Sequence, residues 1–202
     1  PSETVEILQS LDFLFNSSIT ITDTTSTKSS LNETLQGLNF PTNIVFSHPV
    51  AGSHLSGEQN SVASLFEGKS TILSYHPSAT SKHVNRVKDL WQSLGSKVTV
   101  LDAELHDQIF AYTSHLPHVV AYALLNTLKE LDQDNLRLFS GGGLGEFLRL
   151  VSSSPKLWAD IFSINDKNIS IAIDELIKSL SLLKDQIAKN PQILRNFLIE
   201  LK

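Results

Sequence analysis

The sequence predicts two consecutive halves, an α/β half with a mostly parallel sheet over residues 1–102 and an all-helical half over residues 103–202. Helical and strand-like segments alternate along the first half, which is the pattern of βαβ units. Beyond residue 102 the apolar residues recur at helical spacing only. With 202 residues, of which 41% are hydrophobic, the chain can bury one sizeable core or two small ones.

Helices and strands follow one another in the first half. They are predicted as a helix over residues 2–15, a strand over 18–22, a helix over 27–35, a strand over 43–46, a strand over 70–75, a helix over 84–94 and a strand over 97–101. Residues 18–22 (SITIT) are rich in β-branched side chains, which favour a strand. Gly37 and Gly95 are expected to stop the second and third helices, because glycine readily adopts the backbone conformation that ends a helix.

The second half begins with a long helix. Asp102 is predicted to cap this helix, which runs toward Leu131. Pro117 lies inside it and should kink it, because proline leaves the carbonyl of Thr113 without its usual N–H partner. Further on, residues 154–155 (SP) open a short helix as N-cap and first residue. The last helices carry an apolar stripe spaced alternately four and three, at Ile169, Ile173, Leu176, Leu180, Leu183 and Ile187.

The composition excludes several classes of protein. Sixteen basic residues against 21 acidic ones, with no basic run, argue against nucleic acid as a partner. No apolar stretch approaches the length of a membrane span, and the first residues lack the pattern of a signal peptide. The chain contains no cysteine, which excludes disulfides and thiol chemistry and fits a cytoplasmic enzyme.

The first half lacks the opening of a dinucleotide-binding domain. Such a domain begins with a strand, a GxGxxG turn and a helix, whereas this chain opens at Pro1 directly before a helix. The glycines of residues 141–145 lie in the helical half with a different spacing, so no phosphate site is predicted there. We therefore expect a partial Rossmann-like domain, doubly wound but without its front half. A fragment of a longer enzyme is a simpler interpretation than a truncated protein.

Two histidine-containing segments carry the strongest chemical signal. Residues 48–57 (HPVAGSHLSG) and residues 114–118 (SHLPH) hold four of the seven histidines, among small residues and prolines. Histidine is the side chain best suited to exchange a proton near neutral pH. His48 follows a predicted strand, at the sheet edge where open α/β folds bind ligands. It is predicted to accept a proton from a substrate hydroxyl whose carbon loses a hydride, the alternative being a histidine that only caps a strand.

The second segment also contains possible metal ligands. His115 and His118, three residues apart, share a helix face and could bind zinc together with His106 or Asp107. However, Pro117 distorts the spacing and no glutamate lies close by as the usual third ligand, so no metal is predicted. The remaining histidines are expected on the surface: His76, His83 and His106.

Both segments resemble the prephenate/arogenate dehydrogenase family of tyrosine biosynthesis. That family typically reads HPxxGxxxSG after a strand and SHLPH within a long helix, and the resemblance extends over essentially the whole chain. It implies an oxidative decarboxylation of prephenate or arogenate. The ring hydroxyl gives its proton toward His48, a hydride passes to NAD or NADP, and carbon dioxide leaves as the ring becomes aromatic. The phosphate-binding loop for either cofactor is absent from this chain.

The resemblance also implies roles for individual residues. Ser26, in residues 23–28 (DTTSTK), would lie between His48 and the nicotinamide as a catalytic and cofactor-binding residue, with Thr24 beside it. The alternative for Ser26 is a plain helix N-cap. His115 is expected only to buttress its helix. The implied substrate-binding residues are Ser53, His54, Ser114, His118, Gly143 and Arg149.

Two of these substrate-binding residues bear on specificity. Arg149 has a fork-shaped guanidinium that can bind a substrate carboxylate through two parallel hydrogen bonds, the alternative being a solvated arginine on a helix. His54 stands where many similar enzymes have glutamate, which leaves the preference between prephenate and arogenate open.

The helical half is expected to form a homodimer. Its apolar stripe repeats near every 3.5 residues, which keeps two helices in register, and the resembling family dimerises through this half. Burial of the stripe within one chain is the alternative. A rival function is a non-catalytic dimerisation or small-anion-binding module that has lost its nucleotide-binding half.

Overall fold

The computed structural model describes residues 2–38, 40–52, 59, 61–129, 131 and 141–201. The first half contains α1 (Ser2–Ser10), a 3-10 turn (Asp12–Leu14), α2 (Ser29–Gln36), β1 (Phe46–Pro49), β2 (Ser70–Ser74), α3 (Ser81–Ser93) and β3 (Lys97–Val100). The second half contains α4 (Ala103–Phe110), a π-helical turn (Ala111–His115), α5 (Leu116–Leu128), α6 (Gly142–Val151), α7 (Pro155–Ile164), α8 (Asp166–Ile187) and α9 (Pro191–Glu200). Within the described ranges, no helix is long and apolar enough to cross a membrane.

The sheet has the order β1-β2-β3 and mixed strand directions. Strands β2 and β3 are parallel, as predicted, and a parallel bridge between Ile21 and Ile44 lies outside the named strands. Strand β1 runs antiparallel to β2, which the sequence did not predict. Strand β1 also begins three residues later than expected, so His48 lies within the strand, opposite Ile72, rather than after it.

The predicted strand over residues 18–22 is wrong, because only Ile21 makes ladder hydrogen bonds. Its N–H donates to the Asn43 carbonyl, and its carbonyl accepts from the Val45 N–H, both at 3.0 Å. The neighbouring threonines instead use their side chains, and Thr20 Oγ1 lies 2.7 Å from His83 Nδ1. A single paired residue is too short to count as a strand.

Both faces of the sheet are covered, as a doubly wound fold requires. One core cluster joins Leu8 of α1 and Leu31 and Leu35 of α2 to Ile44 and Phe46. The opposite cluster joins Val87 and Trp91 of α3 to Val45 and Leu73. Because side chains alternate along an extended chain, Val45 and its two neighbours serve different faces. The sheet is thereby sandwiched between α1 and α2 on one side and α3 on the other.

Helix ends follow the predicted capping chemistry in the second half. Asp102 Oδ1 accepts from the N–H groups of Glu104 at 2.8 Å and Leu105 at 3.3 Å, which begins α4. Ser154 Oγ accepts from Leu157 N at the start of α7. In the first half, α3 is followed by Gly95 with φ +83°, where a left-handed conformation favours glycine. Helix α1 is shorter than predicted and ends at Ser10.

Pro117 produces a wider turn rather than a break. Because proline has no N–H, the chain forms a π-helical turn over Ala111–His115, and the N–H of Leu116 donates to the carbonyl of Ala111, five residues back. Helices α4 and α5 therefore continue one another through this turn. Single π turns often occur at functional sites, and this one carries Ser114 and His115.

Candidate active site

A cavity of about 960 Å³ lies between the end of β1 and the helical half. Both halves contribute to its lining. The π-helical turn, α5, α6 and α7 face the strand and the loop before α2. Six of the predicted site residues line this cavity: Thr24, Ser26, His48, Ser114, His118 and Arg149. Gly143 lies near the start of α6 and is not among the lining residues, while Ser53 and His54 fall outside the described residues.

His48 is held at the cavity wall by β1 and is only 8% exposed. Its Nδ1 lies 2.8 Å from Nε2 of His106, and its ring packs against Phe110 with centroids 4.5 Å apart. Burial, followed by the electrostatic influence of the neighbouring His106 and Lys28, lowers the pKa of His48 from 6.5 to about 3. The imidazole is therefore neutral around neutral pH and able to accept a hydrogen bond.

His106 is fully buried, so its predicted place on the surface is wrong. Its Nδ1 lies 2.7 Å from Oδ1 of Asp107, which makes it a bridge between Asp107 and His48. The helical spacing contained a signal for this position. His106 falls three residues after Ala103 and four before Phe110, both buried, and so lies on the apolar face of α4.

Asp107 joins the helical half to the loop before α2. Its Oδ1 accepts from the N–H of Lys28 at 2.9 Å and its Oδ2 from the N–H of Ser29 at 2.8 Å, so it caps α2. Burial alone would raise the pKa of Asp107, but the hydrogen bonds from His106, Ser29 and Lys28 lower it below its usual value. The carboxylate is therefore ionised.

Ser26 is not the N-cap of α2, which removes that alternative. Helix α2 begins at Ser29, and its first N–H groups are bound by Asp107. The loop that carries Ser26 is fixed instead by Asp23, whose Oδ1 accepts from the N–H of Ser47 at 2.8 Å. Asp23 also binds the buried ammonium of Lys28 at 2.6 Å. These contacts tie the loop to β1 one residue before His48.

His115 is more than a packing residue. It is buried, and its Nδ1 lies 3.0 Å from the side-chain nitrogen of Asn165. That same nitrogen donates to the main-chain carbonyl of Asp107 at 2.8 Å. Burial lowers the pKa of His115 to about 4 although the charge of Asp107 raises it, so this ring too is neutral around neutral pH.

His118 and Trp158 form an aromatic wall of the cavity. Their rings stack with centroids 3.4 Å apart, and His118 Nδ1 lies 2.9 Å from the carbonyl of Ser114. Burial lowers the pKa of His118. Trp158 was not predicted as a site residue. The available signal was its position in the first turn of the helix that was predicted to begin at Pro155.

Arg149 lies in the last turn of α6 and lines the same cavity. Its side chain is 60% exposed, and its Nε donates to Glu146 at 3.2 Å. A guanidinium in this position can bind an anion that enters the cavity.

The histidines outside the cavity have structural contacts. His83 is buried and bonds Thr20, so its predicted place on the surface is wrong, whereas His76 is half-buried and stacks on Phe40. In the part of the chain that the structure describes, no group of three or more histidine, aspartate or glutamate residues could hold a metal ion.

Two family models match the chain. The one described as "Prephenate dehydrogenase, nucleotide-binding domain" matches residues 1–100, and "Prephenate dehydrogenase, dimerization domain" matches residues 102–198. Cyclohexadienyl dehydrogenase of Zymomonas mobilis is 33% identical over 174 residues, which are 84% of this chain and 59% of that protein. Prephenate dehydrogenase of Bacillus subtilis is 31% identical over 172 residues, 83% of this chain and 46% of that protein. The chain thus spans about half the length of these relatives.

Among solved structures, prephenate dehydrogenase from Aquifex aeolicus in complex with hydroxyphenyl propionate and NAD+ is similar with a TM-score of 0.89 and 35% identity, covering 98% of this chain and 70% of that chain. The fold is therefore a partial Rossmann-like half followed by a helical half, the class found in nucleotide-dependent dehydrogenases. The chain belongs to the prephenate dehydrogenase family. A non-catalytic module is not favoured, because these relatives are named as dehydrogenases.

The lowered pKa values predict that the protein loses stability in mild acid. The unfolded chain binds protons at His48 and His115 near their ordinary pKa of 6.5, whereas the folded chain does so only near 3 and 4. Stability from these groups is thus complete above about pH 6.5 and is lost as the pH falls toward 4, by up to about 1.4 kcal/mol per pH unit for each group. Denaturant unfolding of the His48→Asn variant should show a shallower decline between pH 7 and 5 than the wild type.

His76→Asn is the matched control for this measurement, because it removes a half-buried histidine outside the cavity. It should keep the pH dependence of the wild type. Identical declines for His48→Asn and wild type would contradict the lowered pKa of His48.

Proposed function

We propose that the complete gene product oxidises and decarboxylates prephenate or arogenate with NAD or NADP. In this proposal residues 1–102 are the later part of the nucleotide-binding domain and residues 103–202 bind the substrate and form the dimer. The main support is a single cavity lined by residues of both halves. His48, neutral and buried, and the hydroxyl-bearing Thr24 and Ser26 come from the first half, and Arg149 comes from the helical half. The absence of cysteine further supports a place in the cytoplasm.

The cavity fits a nicotinamide ring beside a small organic acid. Its volume of about 960 Å³ is at the upper end of ordinary small-molecule sites, which span about 300–1,000 Å³. The hydroxyl-bearing residues Thr24 and Ser26 line it next to His48 and can bind polar groups of the cofactor and substrate. The cofactor, when bound, supplies the hydride acceptor. The Aquifex relative with NAD+ and hydroxyphenyl propionate supports this pairing of ligands.

His48 has the central role in the proposed reaction. It accepts a hydrogen bond from the ring hydroxyl, so that electron density builds on the hydroxyl oxygen as a hydride leaves the same carbon. The bond to the ring carboxylate then breaks, and its electron pair completes the aromatic ring while carbon dioxide leaves. The hydroxyl proton remains shared between His48 and the oxygen and stays with the phenol product. The reaction therefore releases no net proton.

The helical side of the cavity binds and orients the substrate. Arg149 offers a fixed positive charge for a carboxylate, and a bidentate contact would set the direction of the acid. The stacked rings of His118 and Trp158 offer a flat surface for the substrate ring. Ser114, whose carbonyl bonds His118, lies beside them.

Replacing His48 with asparagine should lower kcat far more than it changes KM. The hydrogen bond to the hydroxyl strengthens as the hydride leaves, so it contributes mainly to the transition state. We expect kcat to fall about 10²-fold or more in steady-state assays of the complete enzyme. His76→Asn, outside the cavity, should leave kcat unchanged. Near-normal turnover of the His48→Asn variant would show that His48 has a structural role and takes no part in catalysis.

Replacing Arg149 with alanine should chiefly raise KM. Binding of a carboxylate is present in the ground and transition states alike, and loss of a charge-assisted bidentate contact costs about 2–3 kcal/mol. Arg86→Ala is the matched control, because Arg86 is exposed and bonds Ser18 and Thr20 instead. An unchanged KM in Arg149→Ala would show that Arg149 is a solvated surface residue that does not bind the substrate.

We also propose that the helical half forms a homodimer through α8 and α9. In the apolar stripe of α8, Ile169 is buried within the chain, but Leu180 is 54% and Ile187 is 61% exposed. Helix α9 adds the exposed side chains of Ile193 and Ile199. Exposed apolar side chains on two helices that pack against each other support an interaction site, and a second copy of the same helices can bury them in a two-fold interface.

The dimer is tested by light scattering coupled to size exclusion. The wild type should have the mass of a dimer at micromolar concentration, with an interface above about 2,000 Å² as in obligate dimers. Leu180→Glu should produce a monomer, because it puts a charge into the apolar interface. Ile7→Glu is the control, since Ile7 is equally exposed, at 57%, but lies on α1. A wild-type monomer, or an unchanged dimer in Leu180→Glu, would contradict the proposal.

A further inference from the structure

We infer that His106 and Asp107 are positioning residues that hold His48 in the tautomer with its proton on Nδ1, so that Nε2 is a hydrogen-bond acceptor. Asp107, His106 and His48 are joined end to end by two contacts. Asp107 Oδ1 lies 2.7 Å from His106 Nδ1, and His106 Nε2 lies 2.8 Å from His48 Nδ1. The catalytic consequence rests on the proposed function, whereas the tautomer itself does not.

The direction of this chain of hydrogen bonds is set at Asp107. Its two carboxylate oxygens accept from the N–H groups of Lys28 and Ser29, which can only donate. An ionised carboxylate has no proton to give, so His106 must donate from Nδ1. When His106 carries this single proton, its Nε2 is an acceptor, and His48 must donate from its own Nδ1. The remaining nitrogen of His48, Nε2, is left with a lone pair.

His115 provides an internal contrast, because its network has the opposite direction. The side-chain nitrogen of Asn165 donates to the main-chain carbonyl of Asp107, and a carbonyl can only accept. This contact fixes the orientation of the Asn165 amide. The same nitrogen lies 3.0 Å from His115 Nδ1 and donates to it, so the neutral ring carries its proton on Nε2. Two histidines that line one cavity therefore have opposite tautomers.

The tautomer decides whether His48 can act on a hydroxyl. With a proton on Nε2 the ring would present a donor, and the substrate hydroxyl would have no acceptor for its proton at this position. His106 prevents that arrangement, because its Nε2 accepts a hydrogen bond from the protonated Nδ1 of His48. Loss of the acceptor on His106 should therefore lower turnover without removing a substrate contact.

The tautomers can be measured directly by NMR on the complete protein with 15N-labelled histidine. Two-bond correlations from the ring protons distinguish protonated from unprotonated ring nitrogens, and single histidine variants assign the signals. At pH 7.5 we expect the proton on Nδ1 for His48 and His106, and on Nε2 for His115. An unprotonated Nδ1 in His48, or a doubly protonated His106, would overturn the inference.

A pair of variants at position 106 tests the catalytic consequence. His106→Gln keeps an amide oxygen that can accept from His48 Nδ1, whereas His106→Leu fills a similar volume without an acceptor. We expect kcat of His106→Leu to fall about 10- to 100-fold with little change in KM, and His106→Gln to retain most of the wild-type turnover. Equal activity of the two variants would show that His106 only fills space.

Asp107→Asn extends the test, and Asp102→Asn is its matched control on the same helix. Both carboxylates cap a helix N-terminus, but the Asp107 carboxylate bonds the ring of His106, whereas the contact of Asp102 with His106 is through main-chain atoms. Asp107→Asn should move the His48 proton toward Nε2 in the NMR spectrum and lower kcat, while Asp102→Asn should do neither. If the tautomers are as stated but the wild type has no dehydrogenase activity, the proposed function fails and the positioning role stands. If the wild type is fully active but His48 has the opposite tautomer, the positioning role fails and the proposed function stands.

Discussion

The buried carboxylate of Asp107 is the contact on which the site depends. A carboxylate removed from water is costly unless hydrogen bonds compensate it, and here three N–H groups do so, from Lys28, Ser29 and His106. These donors belong to both halves of the chain. Without Asp107, the first N–H groups of α2 would lose their cap and His106 would lose its orientation. One side chain therefore caps α2, the helix that follows the loop of Ser26, and orients the ring next to His48.

Local chemistry could be predicted from the sequence, and long-range contacts could not. The caps at Asp102 and Ser154, the stop near Gly95 and the disturbance at Pro117 depend on residues a few positions apart, and the structure has all of them. The bond between Asp107 and Lys28 joins residues 79 positions apart, and no local pattern specifies such a pair. For this reason the sequence suggests Asp107 only as a possible metal ligand.

The strand before the site shows a second limit of sequence patterns. The apolar residues that start at Ile44 predicted a strand, but they do not specify its partner or direction. Ile44 makes only a parallel bridge with Ile21, and the regular ladder begins at Phe46, where the chain runs antiparallel to β2. The same residues that were expected to lie beyond the strand are thus part of it. His48 gains a rigid backbone from this pairing, which suits a side chain that must hold a fixed direction.

Under the proposed function, the electrostatics of the cavity would connect substrate binding to the basicity of His48. In the protein alone, burial and the charge of Lys28 hold the pKa of His48 at about 3, so the ring accepts a hydrogen bond but is a weak base. An anion bound by Arg149 in the same cavity would act in the opposite direction, because a nearby negative charge stabilises the imidazolium form. Its effect would grow as the bound ligands displace water from the cavity. Under the proposed function, the acidic substrate itself would thus raise the proton affinity of the residue that accepts the hydrogen bond from its hydroxyl group.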